Sequence, residues 1–271
     1  MIDYEDTTMS NVVILRAPHV MIAMGLLMAA FLGNTSASPN TITVQGGRPV
    51  AKAVQELEKR YGWRITYEDP PYSHYSDISV LTDIRLPAVP IQSPSQLQAV
   101  QREHERLVPR RGSVSFTLPS ADPDELGSVE ALAKSYNASR GGNVFAVERG
   151  AVLLHVVPRL MAGSSGNLEP VKPVLDTVIT IEPRERTADA LIEEICNKIL
   201  ISTNTHVDGV PVAMNILQAK TSIGGSGKTA RSILEQLILE LGAPLSWQLF
   251  YGPDDKRYTL NIYRVDLLKM Q

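Results

Sequence analysis

The sequence has one cysteine, Cys196, among 271 residues, and only 6% of its residues are aromatic. A single thiol excludes an internal disulfide and a zinc site built from several cysteines. Charge of one sign is also lacking, because 26 Lys and Arg residues face 29 Asp and Glu residues and leave a net charge of −3. Proteins that bind nucleic acid through its backbone usually carry a basic surplus, so no nucleic-acid partner is expected.

Long hydrophobic runs are absent, and the longest one, residues 20–32, spans 13 residues. A membrane-spanning helix needs roughly 20 apolar residues. Small and polar residues follow this run, which predicts a signal peptide at 1–37 with cleavage after Ala37. Acidic residues before Met9 are atypical of such a leader, so the true start is either Met1 or Met9. The alternative interpretation is a buried core helix. With an export signal, the protein is expected in the periplasm or secreted, touching a membrane only through an uncleaved leader.

Four segments place apolar residues at i, i+3, i+4 and i+7, the spacing of one helical face. They begin at Val50, Val129, Ala188 and Ala230. Short segments of β character flank each of them, so each half reads strand, helix, strand, then strand, helix and a closing hairpin. The sequence predicts an α+β fold of two related small domains, with helices packed on short mixed sheets.

Composition places the boundaries of this repeat. The first unit covers 41–160 and includes a proline-rich insertion at 69–112. A Gly/Ser/Pro-rich linker follows at 161–174, then the second unit at 175–265 and a tail at 266–271. Local identities support the duplication, and they align Ile42-Thr43, Arg48 and Glu56 with Ile179-Thr180, Arg186 and Glu194.

In this order of elements the chain resembles the secretin and TonB N-terminal short domain, present twice. The first half carries the resemblance in residues 42–44, 49–57 and 62–67, and the second in Gly224-Gly225, 229–237, Gly242 and the hairpin that reaches Ile262. The resemblance implies a periplasmic protein-interaction module whose partner is another envelope protein, with a link to secretion or outer-membrane transport. The proline-rich insertion departs from the family's pattern.

The string at 222–229 is similar to a nucleotide-binding P-loop, which requires G-x-x-x-x-G-K-[S/T]. Its Gly227-Lys228-Thr229 end fits, but Ser222 stands at the first glycine position. The favoured interpretation is a glycine-rich turn from strand to helix, capped by Ser226 or Thr229. An enzyme or nucleotide-binding protein that uses this degenerate turn is the alternative.

No catalytic series, cofactor motif or metal-ligand spacing is recognised in the sequence. Cys196 lies in a helical pattern, where a packing role is expected. The favoured function is therefore non-catalytic protein binding through sheet edges or the insertion, and a small-ligand sensor is a further alternative.

The insertion is the part of the sequence in which we expect a partner contact, although a solvated charged face explains its charges as well. A short helix is predicted there at 96–107. The candidate contact residues are Arg102, Arg106, Arg110, Arg111, Tyr72 and Tyr75.

Overall fold

The helices and strands follow from the apolar spacing described above, and a computed structural model gives their bounds. It describes residues 40–82, 105–120, 122–139, 142–210 and 215–268. The predicted leader and Arg102 lie outside these residues. The helices are α1 Pro49–Tyr61, α2 Glu125–Ser139, α3 Ala188–Thr203, α4 Ala230–Leu241 and α5 Val265–Leu268.

The strands are short, as predicted. They are β1 Thr41–Gly46, β2 Ile65–Glu68, β3 Ile78–Thr82, β4 Glu105–Pro109, β5 Gly112–Thr117, β6 Val144–Arg149, β7 Leu154–Ala162, β8 Leu168–Pro170, β9 Val178–Ile181, β10 Arg186–Thr187, β11 Val207–Val210, β12 Lys220–Thr221, β13 Gly225–Thr229, β14 Leu245–Gly252 and β15 Arg257–Arg264. The α+β class and the predicted order of elements in each half are confirmed.

Local chemistry explains where the helices begin and end. In α3 and α4 the threonine before the first turn, Thr187 or Thr229, accepts a hydrogen bond from a backbone N–H three residues ahead. Helix α1 begins with Pro49, whose missing N–H is not needed at that position. It ends at Gly62, whose φ of 75° lies in the left-handed region that favours glycine.

The two halves use the same strand pairs. In the first half β1 pairs antiparallel with β5, β2 pairs parallel with β7, and β6 pairs antiparallel with β7. In the second half the corresponding pairs are β9 with β13, β11 with β15, and β14 with β15. The predicted duplication therefore extends from the order of the elements to their pairing.

A seven-stranded sheet joins the halves, in the order β11-β15-β14-β2-β7-β6, with β8 also on β7. The joint is a parallel pair between β14 and β2, with Gln248 opposite Tyr67. Each half buries its own apolar cluster, and the residues Ser38–Gln271 form one compact unit. The two related units thus share a sheet.

Two segments differ from the expectations drawn from composition. In the residues predicted as a linker, β7 and β8 pair as a hairpin whose turn is closed by Gly166 at a φ of 81°. The Gly and Ser residues that indicated a linker form this turn.

In the insertion, β3 pairs antiparallel with β4, so the helix predicted at 96–107 is wrong for residues 105–107. Leu107 faces Val80 across the hairpin, a pairing that suits β-branched and aliphatic residues.

Candidate binding surfaces

Buried acidic residues hold the joint between the halves. Glu68 and Asp69 at the end of β2 have no exposed surface. Arg231 Nη2 lies 2.7 Å from Glu68 Oε2, and Arg48 Nε lies 2.6 Å from Asp69 Oδ2. A buried charge without a partner is costly, whereas these two are paired and hydrogen-bonded. Burial raises the pKa of Glu68, and Arg231 opposes that rise.

Tyr72, one of the predicted contact residues, belongs to this joint. Its hydroxyl group donates to Asp69 Oδ1 at 2.8 Å, and Tyr67 donates to the same oxygen at 2.6 Å. Arg48 Nη2 adds a bond of 2.6 Å to the carbonyl oxygen of Tyr251 in the second half. Tyr72 is therefore half-buried, and its hydroxyl group is committed to the joint.

The other described contact residues lie on or beside the β3–β4 hairpin. Arg106 on β4 is exposed and pairs across the hairpin with Leu81. Arg110 and Arg111 are exposed where β4 leads into β5, and Arg110 Nη2 donates to the carbonyl oxygen of Tyr75 at 3.3 Å. The structure thus brings Arg110 and Tyr75 into contact, whereas Arg106 lies at the other end of the hairpin.

Exposed side chains on the same hairpin include Val80, Leu81 and Leu107, which the sequence analysis missed, and the region also contains the predicted contact Tyr75. Tyr75 is 78% exposed, Val80 58%, Leu81 48% and Leu107 39%. Side chains alternate along a strand, so Val80 and Leu107 lie on one face of the hairpin, and Leu81 and Arg106 lie on the other. We call these four residues and Tyr75 the hairpin patch, which spans both faces. Exposed aliphatic residues in one place are uncommon on a monomer and mark interaction surfaces. The β-branched and aliphatic residues at 78–82 are the sequence signal that could have revealed the hairpin.

The glycine-rich string at 222–229 does not form a phosphate cradle. Gly225–Thr229 is strand β13 and pairs antiparallel with β9. Lys228 Nζ donates to Gln236 Oε1 at 3.2 Å, and Thr229 caps α4. The capping prediction for Thr229 is confirmed. A P-loop needs its backbone N–H groups to converge on an anion, whereas here the segment pairs with a neighbouring strand.

Cys196 and His155 are titratable residues that the fold buries. Cys196 is buried, and burial raises the pKa of its thiol to about 12, which disfavours the reactive thiolate. His155 is buried too, hydrogen-bonded to Thr66 Oγ1 at 2.7 Å, and burial lowers its pKa. Within the described ranges, no group of three or more His, Cys, Asp and Glu residues is placed to hold a metal ion.

A second surface lies at the opposite end of the sheet from β6. It is a groove of about 390 Å³ between α3, β11 and the 3₁₀ turn Asn215–Gln218. We call it the acidic groove, because Asp189, Glu193 and Asp208 line it. Its apolar lining residues are Ile192, Val207, Leu217, Leu260 and Ile262. A concave apolar site with a few charged groups is the usual form of a binding site.

No family model, curated protein or solved structure matches this chain. In the part of the chain that the structure describes, none of the helices has the length and apolar character to cross a membrane.

Proposed function

We propose that the protein is an exported, non-catalytic interaction module that binds another envelope protein through the hairpin patch, in a process linked to secretion or outer-membrane transport. The observation that carries this proposal is the exposure of Tyr75, Val80, Leu81 and Leu107 beside Arg106. Burying an aliphatic side chain of this size contributes about 1.5–3 kcal/mol when the burial is complete. A few such residues therefore give a partner substantial binding energy.

The arginines specify the kind of partner. Arg106 is exposed on the hairpin, and Arg110 and Arg111 are exposed where β4 leads into β5. Arginine pairs bidentately with carboxylates and is enriched at protein interfaces. The complementary surface is therefore an apolar protein surface with acidic residues at its rim, and an Arg-to-Glu change tests that charge pattern.

Two hydrogen bonds donated by backbone N–H groups hold the hairpin in place. The backbone N–H of Arg110 donates to the carbonyl oxygen of Asp77 at 2.7 Å, which closes the base of the hairpin. The backbone N–H of Leu107 donates to Asp254 Oδ1 at 3.4 Å, in the loop that joins β14 to β15. The hairpin is thus attached to both halves, which reduces the entropy lost on binding.

Crosslinking in the native cell, followed by mass spectrometry, tests the proposal. The partner captured by the wild-type protein should be lost with Leu107→Ser and with Arg106→Glu. The matched control is Val178→Ser, which removes an aliphatic residue 54% exposed on β9, away from the hairpin. If all three variants capture the same proteins in the same amounts as the wild type, the hairpin patch is not the binding surface.

A further inference from the structure

The acidic groove lies beside a strand whose repeat equivalent is covered. Strand β2 has β7 on one side and β14 on the other. Strand β11 occupies the same place in the second half, with β15 on one side. On its other side, no strand of the described residues pairs with it. An unpaired edge is a template for a further strand.

The backbone geometry of the two strands is the same. The N–H of Leu154 donates to the carbonyl oxygen of Arg64, and the N–H of Tyr258 donates to that of His206. Backbone groups alternate in direction along a strand, so the next residues, Ile65 and Val207, point to the opposite side. In the first half that side is used, since Ser246 Oγ donates to the carbonyl oxygen of Ile65 at 2.8 Å.

The register extends the equivalence to Gly209. Tyr67 lies opposite Val156, and Gly209 lies opposite Leu260. Tyr67 is buried, whereas Gly209 has no side chain and lines the groove. A Cβ atom at Gly209 would lie 3.3 Å from Ile192 Cγ2, so any larger residue there would narrow the groove.

Helix α1 beside β2 and helix α3 beside β11 differ in the residues that they present at equivalent positions. On α1, the carbonyl oxygen of Ala51 and the side chain of Gln55 both bind Gln248 of β14. The helical pattern that aligns Val54 with Ile192 places Asp189 and Glu193 at the equivalent positions of α3. Both line the acidic groove. The groove therefore corresponds to the surface on which the second half covers the first, with two carboxylates in place of an alanine and an amide.

We propose that the β11 edge and the acidic groove bind an extended segment of a partner protein, which adds a parallel strand and places a basic side chain between Asp189 and Glu193. The inference rests on the proposed function as a binding module but assigns a surface separate from the hairpin patch. Strand addition supplies main-chain hydrogen bonds, and alternate side chains supply specificity.

Strand β6 of a second copy of this chain is a poorer match for the β11 edge than a segment of a partner protein. The repeat equivalent of β14 is β6, and its outer edge is closed at Phe145 by Asn137 of α2. Asn137 Oδ1 accepts from the N–H of Phe145 at 2.9 Å, and Asn137 Nδ2 donates to its carbonyl oxygen at 2.8 Å. These groups are therefore not available to pair with another β11.

The first half shows which backbone groups the added strand would use. In the joint, the N–H of Asp69 donates to the carbonyl oxygen of Leu249 at 2.9 Å. Among the described residues of β11, Val207 and Gly209 direct their backbone groups to the corresponding side, so the docked segment is expected to pair with them.

A peptide based on β14 tests the proposal. The probe is the sequence Leu245–Gly252 carrying Gln248→Lys, flanked by Gly-Ser and labelled for fluorescence anisotropy, with the full chain as titrant. Saturable binding is expected. A Gln248→Glu peptide should bind about tenfold or more weakly, because its carboxylate faces two others. Methylation of the backbone nitrogen of Leu249 should abolish binding, since it removes the N–H directed at the edge.

Protein variants locate the site. Glu193→Lys should weaken binding of the lysine peptide about tenfold, whereas the control Glu240→Lys, an exposed acid on α4, should leave it unchanged. The proposal is overturned if the lysine peptide does not bind, if the lysine and glutamate peptides bind equally, or if N-methylation has no effect. It is also overturned if ultracentrifugation shows a wild-type dimer that Glu193→Lys dissociates, because the occupant is then a second copy. If the peptide does not bind, the proposal for the groove fails, whereas the proposal for the hairpin patch still depends only on the crosslinking result.

Discussion

Glu58 is a buried carboxyl group whose ionisation state should control the stability of the fold. It lies on α1 with no exposed surface, and its two oxygens accept bonds from the backbone N–H of Ile65 at 3.2 Å and from the hydroxyl group of Tyr263 at 2.6 Å. Burial raises its pKa from 4.5 to about 7, although both bonds oppose the rise. The folded protein therefore prefers Glu58 protonated.

The sign and size of the effect follow from linkage. Because the pKa is raised on folding, the contribution to stability is fully present below pH 4.5 and is lost as the pH rises through about 7. The difference between the two pKa values corresponds to a free energy of about 3 kcal/mol. Glu58→Gln removes this dependence, since an amide can accept from Ile65 and donate to Tyr263 without a charge. At pH 9 the variant should be more stable than the wild type by about 2–3 kcal/mol.

Urea unfolding between pH 4.5 and pH 9, followed by tryptophan fluorescence, measures this difference, because Trp247 is fully buried in the folded protein. At each pH, the unfolding free energy of the wild type is subtracted from that of the variant. The contributions of the other titrating groups cancel in this difference. The control is Glu56→Gln on the same helix, whose carboxylate pairs with Arg60 at the surface. That variant should change the unfolding free energy only slightly, because exposed ion pairs contribute little to stability. A constant difference for Glu58→Gln would refute the reasoning.

Three further measurements test the joint, the caps and the thiol. Arg231→Met leaves Glu68 buried without its partner and should lower the unfolding free energy by about 3–5 kcal/mol, most of which Arg231→Met with Glu68→Leu should restore. Thr229→Ala removes the N-cap of α4 and should cost about 1 kcal/mol in urea unfolding, and Thr187→Ala should cost the same at α3. Cys196 should react with a thiol reagent in the native protein at least about 100-fold more slowly than in urea, since it is buried with a pKa of about 12. Equal rates would contradict its assignment as a packing residue.

The helices and the repeat were predictable because local signals specify them. An apolar face at i, i+3, i+4 and i+7 is visible within one window, and Thr187 and Thr229 mark the starts of α3 and α4. The order of elements repeats in both halves for the same reason.

The joint was not predictable because its parts are far apart in the sequence. In the sequence, the adjacent acidic residues Glu68 and Asp69 predict the beginning of an exposed loop, because charged residues are seldom fully buried. Their burial depends on Arg231, 163 residues away from Glu68, and on Arg48. For the same reason Tyr72 was interpreted as an exposed contact, when its hydroxyl group is needed by a buried carboxylate. The β3–β4 hairpin was missed because frequent prolines obscured its two short strands.

The two ends of the shared sheet are protected to different degrees, and this difference connects the fold to its proposed role. At β6, the side chain of Asn137 occupies the outward backbone groups of Phe145. At β11, the corresponding groove is lined by Asp189, Glu193 and Gly209. A duplicated sheet that served only to fold would gain from closing both edges, because an unpaired edge promotes aggregation. The carboxylates at the border favour binding of a strand that carries a basic residue over one that lacks it. This is the selectivity that a binding module requires.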